Sequence, residues 1–135
     1  MNAKEYLGQI NTINMRLGSL KQQVQSLWDA ATNITPLLSH TPRAPSSDPH
    51  RLEKLIVTKV DLEQEVVILS EKLSEIINTI NSLPDQLHIS ILTSRYISRL
   101  EWREIACQLH ISEGRIFQIH RDALDSLEKS IAGYS

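Results

Sequence analysis

The stretch EIACQLHISEGRIFQIHR, residues 104–121, decides how this chain is read. Ile105 and Leu109 are four apart and share one face of a helix. Ile116 and Ile119 are three apart and share one face of the next. Ala106 is a small residue at the point where the second helix must pass close to the first, and Ile111 falls in the turn between them. Apolar and small residues at these offsets describe two short helices crossing steeply over a shared core, the helix-turn-helix arrangement. Such a unit commonly presents its second helix to the major groove of DNA.

Working outward, Leu92, Arg95, Tyr96 and Ile97 predict a third helix packed under the pair. Pro84 ends the preceding element, and Asp85 and Gln86 fall in the first turn of the next, where an acid suits the helix dipole. The expected plan for this end is a helix over about residues 84–98, another over about 101–109, and a last one from Ser112 to about Ala132. Arg95 is expected to pair with a carboxylate such as Glu104, and Trp102 to pack at the edge of the core.

The front of the chain has a different pattern. Tyr6, Ile10, Ile13, Leu17, Leu20, Val24, Leu27 and Ala31 alternate four and three apart, a heptad seam with Asn, Gln, Ser, Lys and Arg between its members. A second seam runs Leu52, Leu55, Lys59, Leu62, Val66, Leu69, Leu73, Ile76, Ile80, Leu83, with Lys59 its only polar member, expected to snorkel or to fix register. Ile56, Val60, Val67, Ile68 and Ile77 widen this second stripe enough to serve two neighbours: the first helix, and either a second subunit or the C-terminal domain. Between the seams, residues 34–49 hold Pro36, Pro42, Pro45 and Pro49, so an extended or irregular linker is expected there. Ser47 or Asp48 is a candidate cap for the second helix, with Pro49 in its first turn. The fold expected is all-α: a long antiparallel helical hairpin or coiled coil over residues 1–83, then a helix-turn-helix domain over 84–135. The two seams could equally pair between chains.

Composition narrows the function classes. Hydrophobic residues make up 41 % and aromatics only 4 %, so Leu, Ile and Val carry the packing, which suits long helices. Cys107 is the single cysteine, which rules out an intramolecular disulfide. His40, His50, His88, His110 and His120 form no spaced pair, so no metal is expected. There is no phosphate-cradling glycine loop, nucleophile motif or paired carboxylates in a plausible cleft, so neither an enzyme nor a cofactor is expected. No apolar run approaches the roughly 18 residues of a membrane span, and no signal-peptide pattern opens the chain. The expectation is a cytoplasmic protein without membrane contact. The net charge is −2, and from Asp85 onward six basic residues face seven acidic ones. One copy therefore has little charge with which to neutralise phosphates; self-association or docking on a larger DNA-bound machine would supply the difference.

Within this frame Ser112 is a helix cap whose hydroxyl can also reach a phosphate. Arg115 and Gln118, three apart and opposite Ile116 and Ile119, have the side chains that read guanine and adenine by paired hydrogen bonds. Arg121 lies one turn further, suited to a phosphate. Glu113 can accept from cytosine or simply favour the helix dipole. Phe117 would touch a thymine methyl or a partner protein, and Arg99 and Arg103 would grip phosphate beside Trp102.

The run LTSRYISRLEWREIACQLHISEGRIFQIHRDALDSL resembles region 4 of sigma-70-type factors, the part that reads the promoter −35 element. The resemblance lies in Arg95-Tyr96, Trp102-Arg103-Glu104-Ile105-Ala106, Ile111-Ser112, Arg115-Ile116, Gln118-Ile119, and the trailing Ala123-Leu124 with Leu127. His110 departs from it at a turn position that a Gly often fills; that position needs φ > 0, which His tolerates better than most side chains, and some strain is expected there. Glu113, Gly114 and Phe117 depart from it as well, so the −35 preference is not carried over. The whole layout is similar to small phage and prophage proteins of Gram-positive bacteria, near the late-gene activators of the RinA and ArpU type. That resemblance implies a transcriptional regulator, an activator, with double-stranded DNA as partner, RNA polymerase as a further one, and self-association through the hairpin. Two other readings remain open. One is a protein-interaction module that binds polymerase or a host factor without DNA. The other is a small phage DNA-packaging recognition subunit.

Overall fold

In the computed structural model the backbone is described for residues 1–40 and 49–133, and the side chains for 1–32 and 50–133. These described residues are all-helical, without a strand: α1 (Ala3–His40), α2 (Pro49–Asn81), α3 (Gln86–Leu92) running into a π-helical turn (Thr93–Ile97), α4 (Trp102–Leu109) and α5 (Glu113–Ile131). The helix expected over about 84–98 is thus present as two pieces. α1 continues through Pro36 to His40, into the segment expected to be irregular from residue 34. A proline removes one amide donor from the helical ladder, and here the turns on either side keep the helix going. Residues 41–48, with the candidate caps Ser47 and Asp48, lie outside the described residues.

Contacts divide the chain into two compact units, Met1–Ile13 with Lys72–Ser135, and Asn14–Glu71. The division cuts both long helices and falls elsewhere than at 83/84.

In the unit of residues 14–71 the expected seams meet. Leu17 and Leu20 are buried, and Val24, Leu27 and Ala31 half-buried, as are Leu55, Lys59, Leu62, Val66 and Leu69 on α2. Arg16 pairs with Glu65 at 3.0 Å, and Lys59 Nζ lies 5.2 Å from the centre of the Trp28 ring. Rising numbers on α1 meet falling numbers on α2, so the two helices run antiparallel here. Lys59 does snorkel: its stem follows the seam while Nζ reaches Glu63 at 3.3 Å and the Trp28 face.

In the other unit Ile10 and Ile13 continue the first seam, and Ile76, Ile80 and Leu83 the second, all buried. The Tyr6 hydroxyl donates to Thr79 Oγ1 at 3.0 Å. Ala3 and Leu7 are buried as well, beside the heptad positions rather than on them. Heptad reading follows one partner helix and misses a stripe turned to another. The Ala3 amide donates to Glu128 Oε1 of α5 at 3.2 Å, tying the start of α1 to that helix.

Candidate nucleic-acid interface

The side chains expected to meet a partner stand on a small core built from Ile91, Ile105, Ala106, Ile116 and Ile119, with Leu87, Leu100, Trp102, Leu109 and Ile111 packed against it. Ile105, Ala106, Leu109, Ile111, Ile116 and Ile119 of the 104–121 motif are all in this cluster, and Phe117 is not. Burying an Ile or Leu side chain contributes about 1.5–3 kcal/mol, so the cluster is large enough to hold three short helices at fixed positions.

The turn between α4 and α5 has a defined hydrogen-bond pattern. His110 adopts the left-handed conformation, φ 57° and ψ 44°. Its amide donates to Cys107 O at 3.3 Å, and the Ile111 amide donates to Ala106 O at 3.0 Å. These two bonds, with Ile111 and Ala106 in one apolar cluster, make a Schellman ending with His where glycine usually stands. Ser112 then caps α5, its hydroxyl accepting from the Arg115 amide at 3.2 Å. Both features were expected from the sequence.

A second left-handed residue was not expected. Arg99, φ 59°, follows the π-helical turn, in which Ser98 N donates to Thr93 O at 2.9 Å and Leu100 N to Ser94 O at 2.9 Å. The widened turn brings Arg95 inward. Its Nη1 donates to Leu100 O at 3.0 Å, and its guanidinium lies 4.5 Å from the centre of the Trp102 ring. The expected Arg95–Glu104 pair is therefore not formed. The planar guanidinium instead caps a carbonyl and stacks on an aromatic face, two roles for which its shape suits it. Glu104 is exposed.

Trp102 is half-buried at the core edge, as expected, and centres an aromatic group. The Phe117 ring lies edge-on to it at 5.3 Å and the His120 ring at 4.6 Å. The Tyr96 hydroxyl and His120 Nε2 share a hydrogen bond of 2.9 Å. Burial, with the positive charges of Lys4 and Arg95, holds the His120 imidazole down to about 4, so it is neutral at physiological pH. Burial pushes the Tyr96 phenol up, with Arg95 opposing. Nothing in the spacing of Tyr96 and His120, 24 residues apart, pointed to this pair.

α5 turns Ile116, Ile119, Ala123 and Leu127 inward. Its other side exposes Glu113, Gly114, Arg115, Phe117, Gln118 and Arg121. Arg115 Nη1 donates to Gln118 Oε1 at 3.3 Å, so the two candidate base-readers lie side by side. Arg103 of α4 reaches Glu113 at 3.8 Å. Phe117 remains 47 % exposed despite its contact with Trp102. No hydrogen bond or ion pair among the described residues joins Arg99 to these side chains. Arg121 lines a shallow cleft of about 220 Å³ with Asn2, Ala3, Lys4, Leu124, Asp125 and Glu128. Lys4, a cation of α1 beside Arg121, has no signal in the local motif. A side chain added at Gly114 would meet no protein atom within 4 Å, so packing inside the chain does not require glycine there.

Among the described residues no group of His, Cys, Asp or Glu is arranged to hold a metal, and no helix is long and apolar enough to cross a membrane. The chemistry this face offers is hydrogen bonding and charge: guanidinium, amide and hydroxyl groups around one exposed ring. These observations define an all-α protein whose α4–turn–α5 core holds a polar helix face toward solvent. The family described as protein of unknown function DUF1492 matches residues 51–128, more than half of the chain, and the chain belongs to it. No curated protein and no solved structure matches it.

Proposed function

We propose that this chain is a DNA-binding transcriptional regulator of the phage type, an activator working in the cytoplasm, which reads duplex DNA with α5. The observation that carries this reading is the first two turns of α5. Arg115, Gln118 and Arg121 stand exposed opposite a fully buried face, on a helix whose start is capped by Ser112. Arg and Gln carry paired donors and acceptors suited to guanine and adenine edges. Arg103 and Arg99 supply phosphate contacts that set the register. Gly114 lets backbone approach the groove at no cost to packing in the chain. Replacing Arg115 and Gln118 together by Ala should abolish sequence preference while the helical circular-dichroism signal stays unchanged. Unchanged selectivity would refute the assignment.

One observation favours a second reading, a protein-interaction module that touches RNA polymerase or a host factor. Phe117 presents a half-exposed ring braced by Trp102, an anchor of the kind found at the centre of protein interfaces. In that case Phe117→Ala removes partner binding and leaves no DNA effect to lose.

A further inference from the structure

The start of α1 belongs to the same compact unit as α5 and is tied to it. Ala3 is buried, and its amide donates to Glu128 Oε1 at 3.2 Å. The next residue, Lys4, is thereby held beside the middle of α5. Two further observations agree on that position. Lys4 lines the cleft of about 220 Å³ together with Arg121. Burial, and then the positive charge of Lys4, are the leading causes that lower the His120 imidazole to about 4.

Lys4 and Arg121 are both exposed. Among the described residues neither side chain has a hydrogen bond or an ion pair. A free cation can neutralise a phosphate without first giving up a carboxylate. Two carboxylates share the cleft. Glu128 is engaged by the Ala3 amide. Asp125 is exposed, four residues beyond Arg121, and pairs with neither cation. It opposes an anion there, so its removal carries the opposite sign. Arg121 stands one turn beyond Gln118 on the exposed side of α5. A recognition helix meets base edges with its first turns, and its later part runs beside the sugar-phosphate backbone.

We propose that Lys4, brought in by α1, joins Arg121 to grip the phosphate backbone of duplex DNA beside the bases read by α5. The proposal rests on the DNA-reading assignment and adds to it a contact from outside the helix-turn-helix.

The test titrates the full chain with a duplex carrying a site that the parent retains, over a series of salt concentrations. Each phosphate neutralised contributes about 0.9 to the slope of log affinity against log salt. Lys4→Gln should lower that slope by about this amount, with the helical signal and the order of preferred sites unchanged. Lys4→Arg should keep the parent slope, and Asp125→Asn should tighten binding. Neutral methylphosphonates placed singly along the duplex locate the contact. One or two positions should weaken the parent and have no effect on the Lys4→Gln/Arg121→Gln chain. An unchanged slope in Lys4→Gln, no tightening by Asp125→Asn, or methylphosphonate losses that persist at every position in the double variant would overturn the proposal while the DNA-reading assignment stands. A parent that retains no DNA would overturn both.

Discussion

The core under α4 and α5 and the helical pair of residues 14–71 use the same residue types and reach different degrees of closure. Ile91, Leu92, Ile105, Ile116 and Leu127 are 0 % exposed. Among the described residues of the helical pair Leu17 and Leu20 are buried; the seam of α2 over residues 55–69 is half-buried and its outer strip open. Three short helices with further helical residues packed on them can surround a side chain, but two helices side by side can only cover one stripe of each. The first arrangement suits holding an exposed helix face still. The second leaves apolar area in solvent.

The largest effect expected from this comparison is on core truncation. Ile116→Ala should cost about 2–5 kcal/mol, as for other fully buried aliphatic truncations, while Leu62→Ala on the half-buried seam should cost clearly less. Equal losses in denaturant melts would mean that the helical pair is as closed as the core.

A second test uses pH. His120 is held well below the ordinary imidazole value by burial and by Lys4 and Arg95. As pH falls from about 6.5 toward 4, the unfolded chain takes up a proton that the folded chain refuses, so stability is lost across that window. The melting temperature of the parent should therefore drop more steeply through it than that of His120→Gln. Parallel profiles would remove His120 from the account.

A smaller gain is expected at the turn. His110→Gly relieves a left-handed side-chain residue and should stabilise the chain by up to about 1 kcal/mol, less whatever the more flexible unfolded chain takes back. A loss of stability would show that the imidazole makes a contact of its own. Smallest is Arg16→Gln. Its pair with Glu65 is 47 % and 41 % exposed, and removing it should cost no more than about 0.5 kcal/mol, less still at high salt.

Where the sequence was legible, spacing and burial had one cause. The apolar offsets of 104–121 arise from one small core, and all of them fall in it. The φ > 0 expectation at His110 came from the turn position in the sigma region 4 pattern, and the cap at Ser112 from local backbone geometry. Arg95 misled because charge alone suggested a carboxylate, whereas the π-helical turn aims its guanidinium at Leu100 O and Trp102. One extra residue in a turn leaves no mark on the pattern. Ala3 and Leu7 were hidden by the stronger heptad beside them, and Lys4 and His120 approach each other only through the tertiary fold. Of the candidate site, the structure brings together Arg115 with Gln118 and Arg103 with Glu113, while Arg99 is linked to none of them.

The most direct test of the central claim is to incubate the full chain with fragmented host and prophage DNA at two salt concentrations and to sequence what it retains. The account predicts a few recovered sites, weaker at high salt and lost in the Arg115→Ala/Gln118→Ala chain. No enrichment at either salt would contradict it and leave the protein-interaction reading in its place.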